Sequence, residues 1–129
     1  MTALARPAAA AELVMFESTA CEWCEAWDEE IGPIYPKTEE ARRAPLRRVD
    51  IHDKLPADLA GLAAVVYTPT FVLVEGGREY GRILGYAGED HFWGLLGILM
   101  KQLETATARA CPGTRASTAD DQNAEVRQC

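Results

Sequence analysis

Leu13-Val14-Met15-Phe16 stand together before a polar turn, Glu17-Ser18-Thr19-Ala20. An apolar run this short, bounded by turn chemistry, predicts a buried strand. Beyond the turn the period becomes helical: Trp27, Ile31 and either Ile34 or Tyr35 recur on one face, while Glu22, Glu25, Asp28, Glu29 and Glu30 fill the remaining positions. This predicts a helix opening at the first two cysteines, interrupted or kinked at Gly32-Pro33. Helix can resume over Thr38 to Arg43, and Pro45 stops it. Leu46 to Ile51 alternates imperfectly and predicts a strand. Pro56 to Ala64 carries Leu59, Leu62 and Ala63 at i, i+3 and i+4, with proline at a permitted start, and predicts a short helix.

The clearest local signal is a hairpin. Thr70 to Val74 is β-branched and apolar, Glu75-Gly76-Gly77-Arg78 is turn sequence, and Glu79 to Leu84 offers the return strand. Gly85 and Gly88 bracket a break. Glu89-Asp90 then open a stretch with Phe92, Leu95, Leu96, Leu99 and Leu103 on one face, the mark of a terminal amphipathic helix. The order is strand, helix, strand, helix, strand, strand, helix. It predicts an α/β fold in which a small mixed β-sheet is flanked by helices on both faces. No internal repeat interrupts this order.

The chain has 129 residues, the size of one domain with a real core. Its two ends differ in character from the middle. Residues 1–11, with Ala3 to Ala11 dominated by small side chains, suit the trimmed remnant of an export signal or a frayed N-terminus, with the folded domain starting near Glu12. Residues 105–129 are polar and aperiodic, which predicts a flexible tail and leaves 12–104 as the domain. Twenty acidic against 13 basic side chains give a net charge of -7 without a basic tract, which argues against nucleic acid as a partner. The longest apolar run, Phe92 to Met100, is far shorter than the roughly 20 residues a membrane helix needs.

Candidate chemistry begins at Cys21 and Cys24. Two cysteines three apart, after a strand and at the opening of a helix, have the placement of a redox dithiol. Unpaired N–H groups at the helix start favour thiolate, which makes Cys21 the nucleophile. One helical turn places Cys24 within reach, as the resolving thiol. Attack also needs an exposed sulfur, which a strand-to-helix loop can provide. Glu22 opposes thiolate formation, so a moderate lowering of the Cys21 pKa is expected. The same spacing suits zinc, but zinc wants four ligands, and Cys111, Cys129, His52 and His91 form no second close pair. A purely structural disulfide is the other alternative, and the sequence leaves the roles of Cys111 and Cys129 open. Thr68-Pro69 is the second anchor. A cis proline fits directly before a strand, and there the Thr68 backbone can hydrogen-bond an extended substrate lying beside Cys21.

Cys21-Glu22-Trp23-Cys24 after a strand, Thr68-Pro69-Thr70, Gly77 in the hairpin and Gly85 before the last helix occur in the order that characterises the thioredoxin superfamily. The sequence resembles that superfamily over Glu12 to Glu104. The resemblance implies a thioredoxin fold, thiol-disulfide oxidoreductase activity, Cys21 as nucleophile, Cys24 as resolver, and Thr68 with Pro69 as the docking loop. It implies no cofactor beyond the Cys21–Cys24 disulfide and no metal. Two departures stand out. Glu22-Trp23 replaces the Gly-Pro of ordinary thioredoxins, and Met15 stands where those proteins carry a buried acid that deprotonates the resolving cysteine. Glu17, Glu22 or water could take that proton. Threonine before the proline is closer to periplasmic disulfide isomerases and glutaredoxin-like relatives.

Cys24 to Asp28, Ile31 to Pro36 and Arg48 to Asp53 further resemble the periplasmic thioredoxins of bacterial sulfur-oxidation operons. That resemblance implies a periplasmic reductant for protein disulfides, keeping a sulfur-carrier protein of thiosulfate oxidation active and receiving electrons from a membrane thiol transporter. Disulfide isomerase, glutaredoxin-like repair protein and redox-inert peptide-binding module are the competing functions. Small size and the lack of an evident dimerisation segment favour a monomer. Of the remaining aromatics, Trp27 lies on the periodic face and is expected in the core, whereas Trp23 is the surface candidate for substrate contact. Arg42, Arg43, Arg47 and Arg48 are either solvated element ends or an attraction for an acidic partner. His52 and His91 have no positioned acid and are expected to be structural or surface residues.

Overall fold

A computed structural model describes residues 11–110, with side chains through residue 106. Residues 1–10 of the expected N-terminal segment, Cys111, Cys129 and most of the expected tail lie outside the described residues. The elements are β1 (Ala11–Glu17), α1 (Glu22–Glu30), α2 (Glu39–Arg43), β2 (Leu46–Asp50), β3 (Thr70–Glu75), β4 (Arg78–Leu84) and α3 (Glu89–Ala110), with 3₁₀ turns at Tyr35–Lys37 and Ala57–Leu59. The strands form one mixed sheet in the order β2-β1-β3-β4. β1 pairs parallel to β2 and antiparallel to β3, and β3 pairs antiparallel to β4. This is the predicted thioredoxin fold.

The unbroken apolar run at β1 reflects burial on both faces. Leu13 and Met15 point into a core with Trp27, Ile31, Tyr35, Phe71, Leu73, Ile83, Phe92 and Leu96. Val14 and Phe16 point the other way and meet Val49, Leu59, Val72 and Val74. Trp27 is fully buried, as its periodic position predicts, with ring centroids of Phe71 and Phe92 at 5.3 and 5.7 Å. Its indole N–H finds no acceptor among the described residues. In α3 the predicted stripe is the buried one: Phe92, Leu96, Leu99 and Leu103 enter the core and Leu95 packs partly against it.

Three expectations are corrected. Pro56 to Ala64 forms only the Ala57–Leu59 3₁₀ turn. Gly61 disfavours helix by about 1 kcal/mol relative to alanine, and the Ala63 and Ala64 carbonyls accept from the Arg82 guanidinium at 3.1 Å each. The sheet face opposite α1 and α3 is therefore covered by a turn and loop. The last helix does not stop near Glu104 but runs to Ala110, because an alanine- and threonine-rich stretch without apolar spacing can still extend an established helix. At the other end, Ala11 belongs to β1, buried and paired with Glu75.

Local chemistry fixes the joints. Gly76 and Gly77 adopt φ of 61° and 79°, the positive values a two-residue hairpin turn requires. After α1, the N–H groups of both Ile31 and Gly32 reach the Trp27 carbonyl, and a Cβ at Gly32 would lie 2.5 Å from the Asp28 carbonyl oxygen. A glycine is thus built into the interruption that Gly32-Pro33 predicts. The Tyr35 hydroxyl then donates to the Ala44 carbonyl at 2.6 Å in the core, tying the 3₁₀ turn to the end of α2. On β4, Arg82 pairs with Glu79 at 2.7 Å while holding the 63–64 carbonyls.

Gly32→Ala should cost roughly 1–3 kcal/mol, because the colliding atom is helix backbone. A lower denaturation midpoint at unchanged slope would show it, and an unchanged midpoint would refute the packing account. A second expectation concerns pH. The hydrogen bond from Arg82 lowers the Glu79 pKa below the ordinary 4.5. Between the lowered value and 4.5 the unfolded chain binds more protons, so this contribution is complete above 4.5 and is lost as pH falls through the folded value. Glu79→Gln should flatten the acid limb of a stability-versus-pH curve below about pH 4.5 and leave the shape above it unaltered.

Candidate active site

Register brings the site to one end of the sheet. Glu17 at the end of β1 lies beside Asp50 at the end of β2, and Phe16 faces Thr70, the first residue of β3, which in turn faces Leu84 at the end of β4. From this end the chain leaves β1, crosses Ser18 to Ala20 and enters α1. Cys21 is the N-cap, extended at φ -120° and ψ 99°. Its carbonyl accepts from the Glu25 N–H at 3.1 Å, and its Sγ accepts from the Cys24 N–H at 3.1 Å. Cys21 and Cys24 are joined in a disulfide with Cα atoms 5.2 Å apart.

This geometry gives the first sulfur a special electrostatic setting. An N-cap group meets the unpaired donors and partial positive charge of the helix start, and both favour an anion there. When the disulfide is reduced, the Cys24 N–H that now reaches Cys21 Sγ is positioned to stabilise a thiolate. Glu22 and Glu25 in the same turn act in the opposite sense, but both are exposed, so solvent and salt weaken them.

The second anchor meets the first through space. The Thr68-Pro69 peptide is cis, and Thr68 Oγ1 lies 3.2 Å from Ser18 Oγ in the loop before Cys21. Pro69 is buried, its carbonyl accepts from the Gly85 N–H at 2.7 Å, and the Thr70 hydroxyl donates to the Tyr67 carbonyl at 2.7 Å. Sequence positions 18, 68 and 85 are thereby locked together. Around them large apolar side chains stay in solvent: Trp23 is 56 % exposed, Val66 70 %, Tyr67 62 % and Leu84 56 %.

Other residues fall differently from their expectations. The attacking sulfur was expected to be exposed, yet Cys21 is 7 % accessible and Cys24 3 %. The reason is that the two side chains cover one another and pack into the cluster of Met15 and Trp27. Met15 is itself fully buried, so the family's usual acid is replaced by an apolar side chain. Glu17 is engaged at 2.8 Å by Arg48, which also reaches Asp28 of α1 at 2.6 Å and lies over the Trp27 ring at 5.9 Å. Glu22 is exposed beside Cys21.

The arginines are not a free basic patch. Arg42 pairs with Glu39, Arg43 with Glu104, and Arg47 with both Glu12 and Asp58. His52 and His91 are exposed. Sequence reasoning missed Ser18, whose hydroxyl joins the two anchors, and Tyr86, whose hydroxyl donates to Glu30 at 2.5 Å and fastens the segment after Gly85 to α1. Burial, with Glu30 alongside, raises the Tyr86 pKa. Only the short distance of Tyr86 from Gly85 could have drawn notice to it.

The structure is similar to the crystal structure of the periplasmic thioredoxin SoxS from Paracoccus pantotrophus in its reduced form, with a TM-score of 0.68, 47% sequence identity, and coverage of 72% of this chain and 98% of that one. The chain belongs to the thioredoxin family. Fasciola hepatica thioredoxin (22% identity, 70% of this chain and 82% of that one, TM-score 0.54) and Malassezia sympodialis thioredoxin (20% identity, 70% and 78%, TM-score 0.53) share the fold. No protein-family model and no curated protein sequence matches the chain. As a family member with a Cys21–Cys24 disulfide at a helix start, this protein is a thiol-disulfide oxidoreductase that acts on protein disulfides. Thioredoxins carry the redox couple in their own sulfurs and need no cofactor. Among the described residues no group of three or more His, Cys, Asp or Glu is placed to hold a metal ion.

In the reduced protein, Cys21 should be alkylated by iodoacetamide at lower pH than free cysteine, and Cys24 should resist. Mass spectrometry across a pH series would locate the label. A Cys21 profile like that of free cysteine would refute the role given to the helix start.

Proposed function

We propose that this protein is a monomeric periplasmic reductant of protein disulfides in which Cys21 attacks and Cys24 resolves. The observation that carries this reading is the N-cap position of Cys21, with the Cys24 N–H directed at its sulfur. In the first step the Cys21 thiolate attacks one sulfur of a partner disulfide, forming a mixed disulfide and releasing the partner's other sulfur as thiolate. In the second, the Cys24 thiolate attacks Cys21 Sγ, closing the Cys21–Cys24 disulfide and freeing the partner as a dithiol. Two electrons pass to the partner, and a dithiol donor must return them. The proton leaving Cys24 goes to water or to Glu17 or Glu22, since Met15 offers no acid.

Trp23, Thr68 and Pro69 form the docking surface in this reading. The exposed ring of Trp23, between the two cysteines, and the cis Thr68-Pro69 loop tied to Ser18 support it, because an extended segment pairing with the Thr68 backbone would lie near the dithiol. Similarity to a protein described as a periplasmic thioredoxin supports the compartment. The resemblance to sulfur-oxidation thioredoxins supports a sulfur-carrier protein as the partner and a membrane thiol transporter as the electron donor.

Cys24→Ser cannot resolve the mixed disulfide, so it should trap the partner on Cys21, while Cys21→Ser should abolish dithiol-dependent disulfide reduction and trap nothing. Non-reducing electrophoresis with mass spectrometry would identify the adduct. A sulfur-carrier protein bearing the trapped cysteine is the expected result; a diverse set of exported proteins would favour general disulfide repair. Full reductase activity in Cys21→Ser would overturn the assignment.

A further inference from the structure

Beside the docking loop, on the sheet face that α1 and α3 do not cover, lies a cavity of about 180 Å³. Its walls are largely apolar: Phe16 of β1, Val49 of β2, and Leu55, Leu62 and Val65 from the connection to β3. Asp50, at the end of β2, and the exposed Asp53 also line it. One Asp50 oxygen accepts the His52 backbone N–H at 2.8 Å, and the Asp53 side chain makes no hydrogen bond or ion pair among the described residues. Lys54, next along the chain, is exposed and likewise unpaired among them. The wall at Ala63 and Ala64 is fixed, because Arg82 holds both carbonyls from β4.

We infer that this cavity is a second recognition site, which takes a lysine or arginine side chain of the disulfide-bearing partner a few residues from its cysteine. This rests on the docking reading given above and names the kind of partner it selects. Two observations commit the occupant. The first is continuity: Phe16 and Asp50 sit at the sheet end that carries the dithiol, and Val65 is three residues from Thr68, at most ~10 Å of chain. A strand added along Thr68 would pass the cavity mouth with alternate side chains turned toward it.

The second is charge complementarity. An aliphatic stem suits the apolar walls, while a cationic head can reach the carboxylates and water. An aliphatic side chain would fill the walls but gain nothing from Asp53, whose side chain has no partner among the described residues, or from the second oxygen of Asp50. An acidic one would be repelled by both aspartates, and by a chain whose net charge is -7.

The test uses pre-reduced protein and synthetic peptides whose single cysteine is a mixed disulfide with thionitrobenzoate. Attack of Cys21 on the peptide sulfur displaces the coloured thiolate, so the release rate reports docking and attack together. One peptide set carries lysine two to four residues from the cysteine, and the matched set carries methionine there. The lysine peptide should react roughly three- to tenfold faster at low ionic strength, with the advantage shrinking as salt is added. In the double variant Asp50→Asn, Asp53→Asn the ratio should fall to about one, and asparagine keeps an acceptor for the His52 N–H. Equal rates in the unmodified protein, or a ratio unchanged in the double variant, would overturn the inference. Absence of release from either peptide would instead overturn Cys21 as the attacking sulfur.

Discussion

The first turn of an α-helix has N–H groups that no residue of the same helix can bond, and the chemistry of this protein is arranged around that deficit. Cys21 fills the N-cap position usually taken by serine, threonine, aspartate or asparagine, so its sulfur meets a donor at the place where a hydroxyl or carboxylate oxygen would otherwise sit. A cap that accepts a hydrogen bond is stabilised further when it carries negative charge. Helix capping and thiolate formation therefore favour the same arrangement.

Holding that turn in place is the work of the core. β1 is buried on both faces, and α1 is pinned to it through Trp27, which meets Phe71 and Phe92 beneath and Arg48 above. The Arg48 guanidinium also joins Glu17 of β1 to Asp28 of α1. Exposed pairs of this kind contribute little stability individually. One guanidinium nonetheless bridges two carboxylates, one on the strand and one on the helix. Met15 shares the buried cluster with both cysteines, so the dithiol rests against apolar side chains with no acid at that position.

Much of the architecture could be read directly from side-chain periodicity. A β-branched apolar run marked β3, the Gly76-Gly77 pair marked the turn and with it the return strand β4, and the Phe92 to Leu103 stripe marked α3. Where the reading failed, the deciding forces were not local. The 56–64 segment has helical spacing, but its carbonyls found a guanidinium on β4 instead of continuing a helix. The stretch after Glu104 has no apolar spacing, yet propagation from a helix already packed costs little. Cys21 was expected to be exposed because it follows a strand-to-helix loop; packing against Cys24 and the core recessed it.

By itself the sequence determined the dithiol, its position at a helix start and the proline before β3, because each depends on neighbours within a few residues. The fold class followed from the same local signals taken in order. Only the tertiary structure decided that Ser18 and Thr68 touch across fifty positions, that Tyr86 fastens to Glu30, and that four arginines are already paired. It also decided that Phe16, Val49 and Val65, from three separate segments, line one cavity. Such contacts join residues far apart in the chain, and their partners are selected by strand register and packing, which no local pattern of polar and apolar residues encodes.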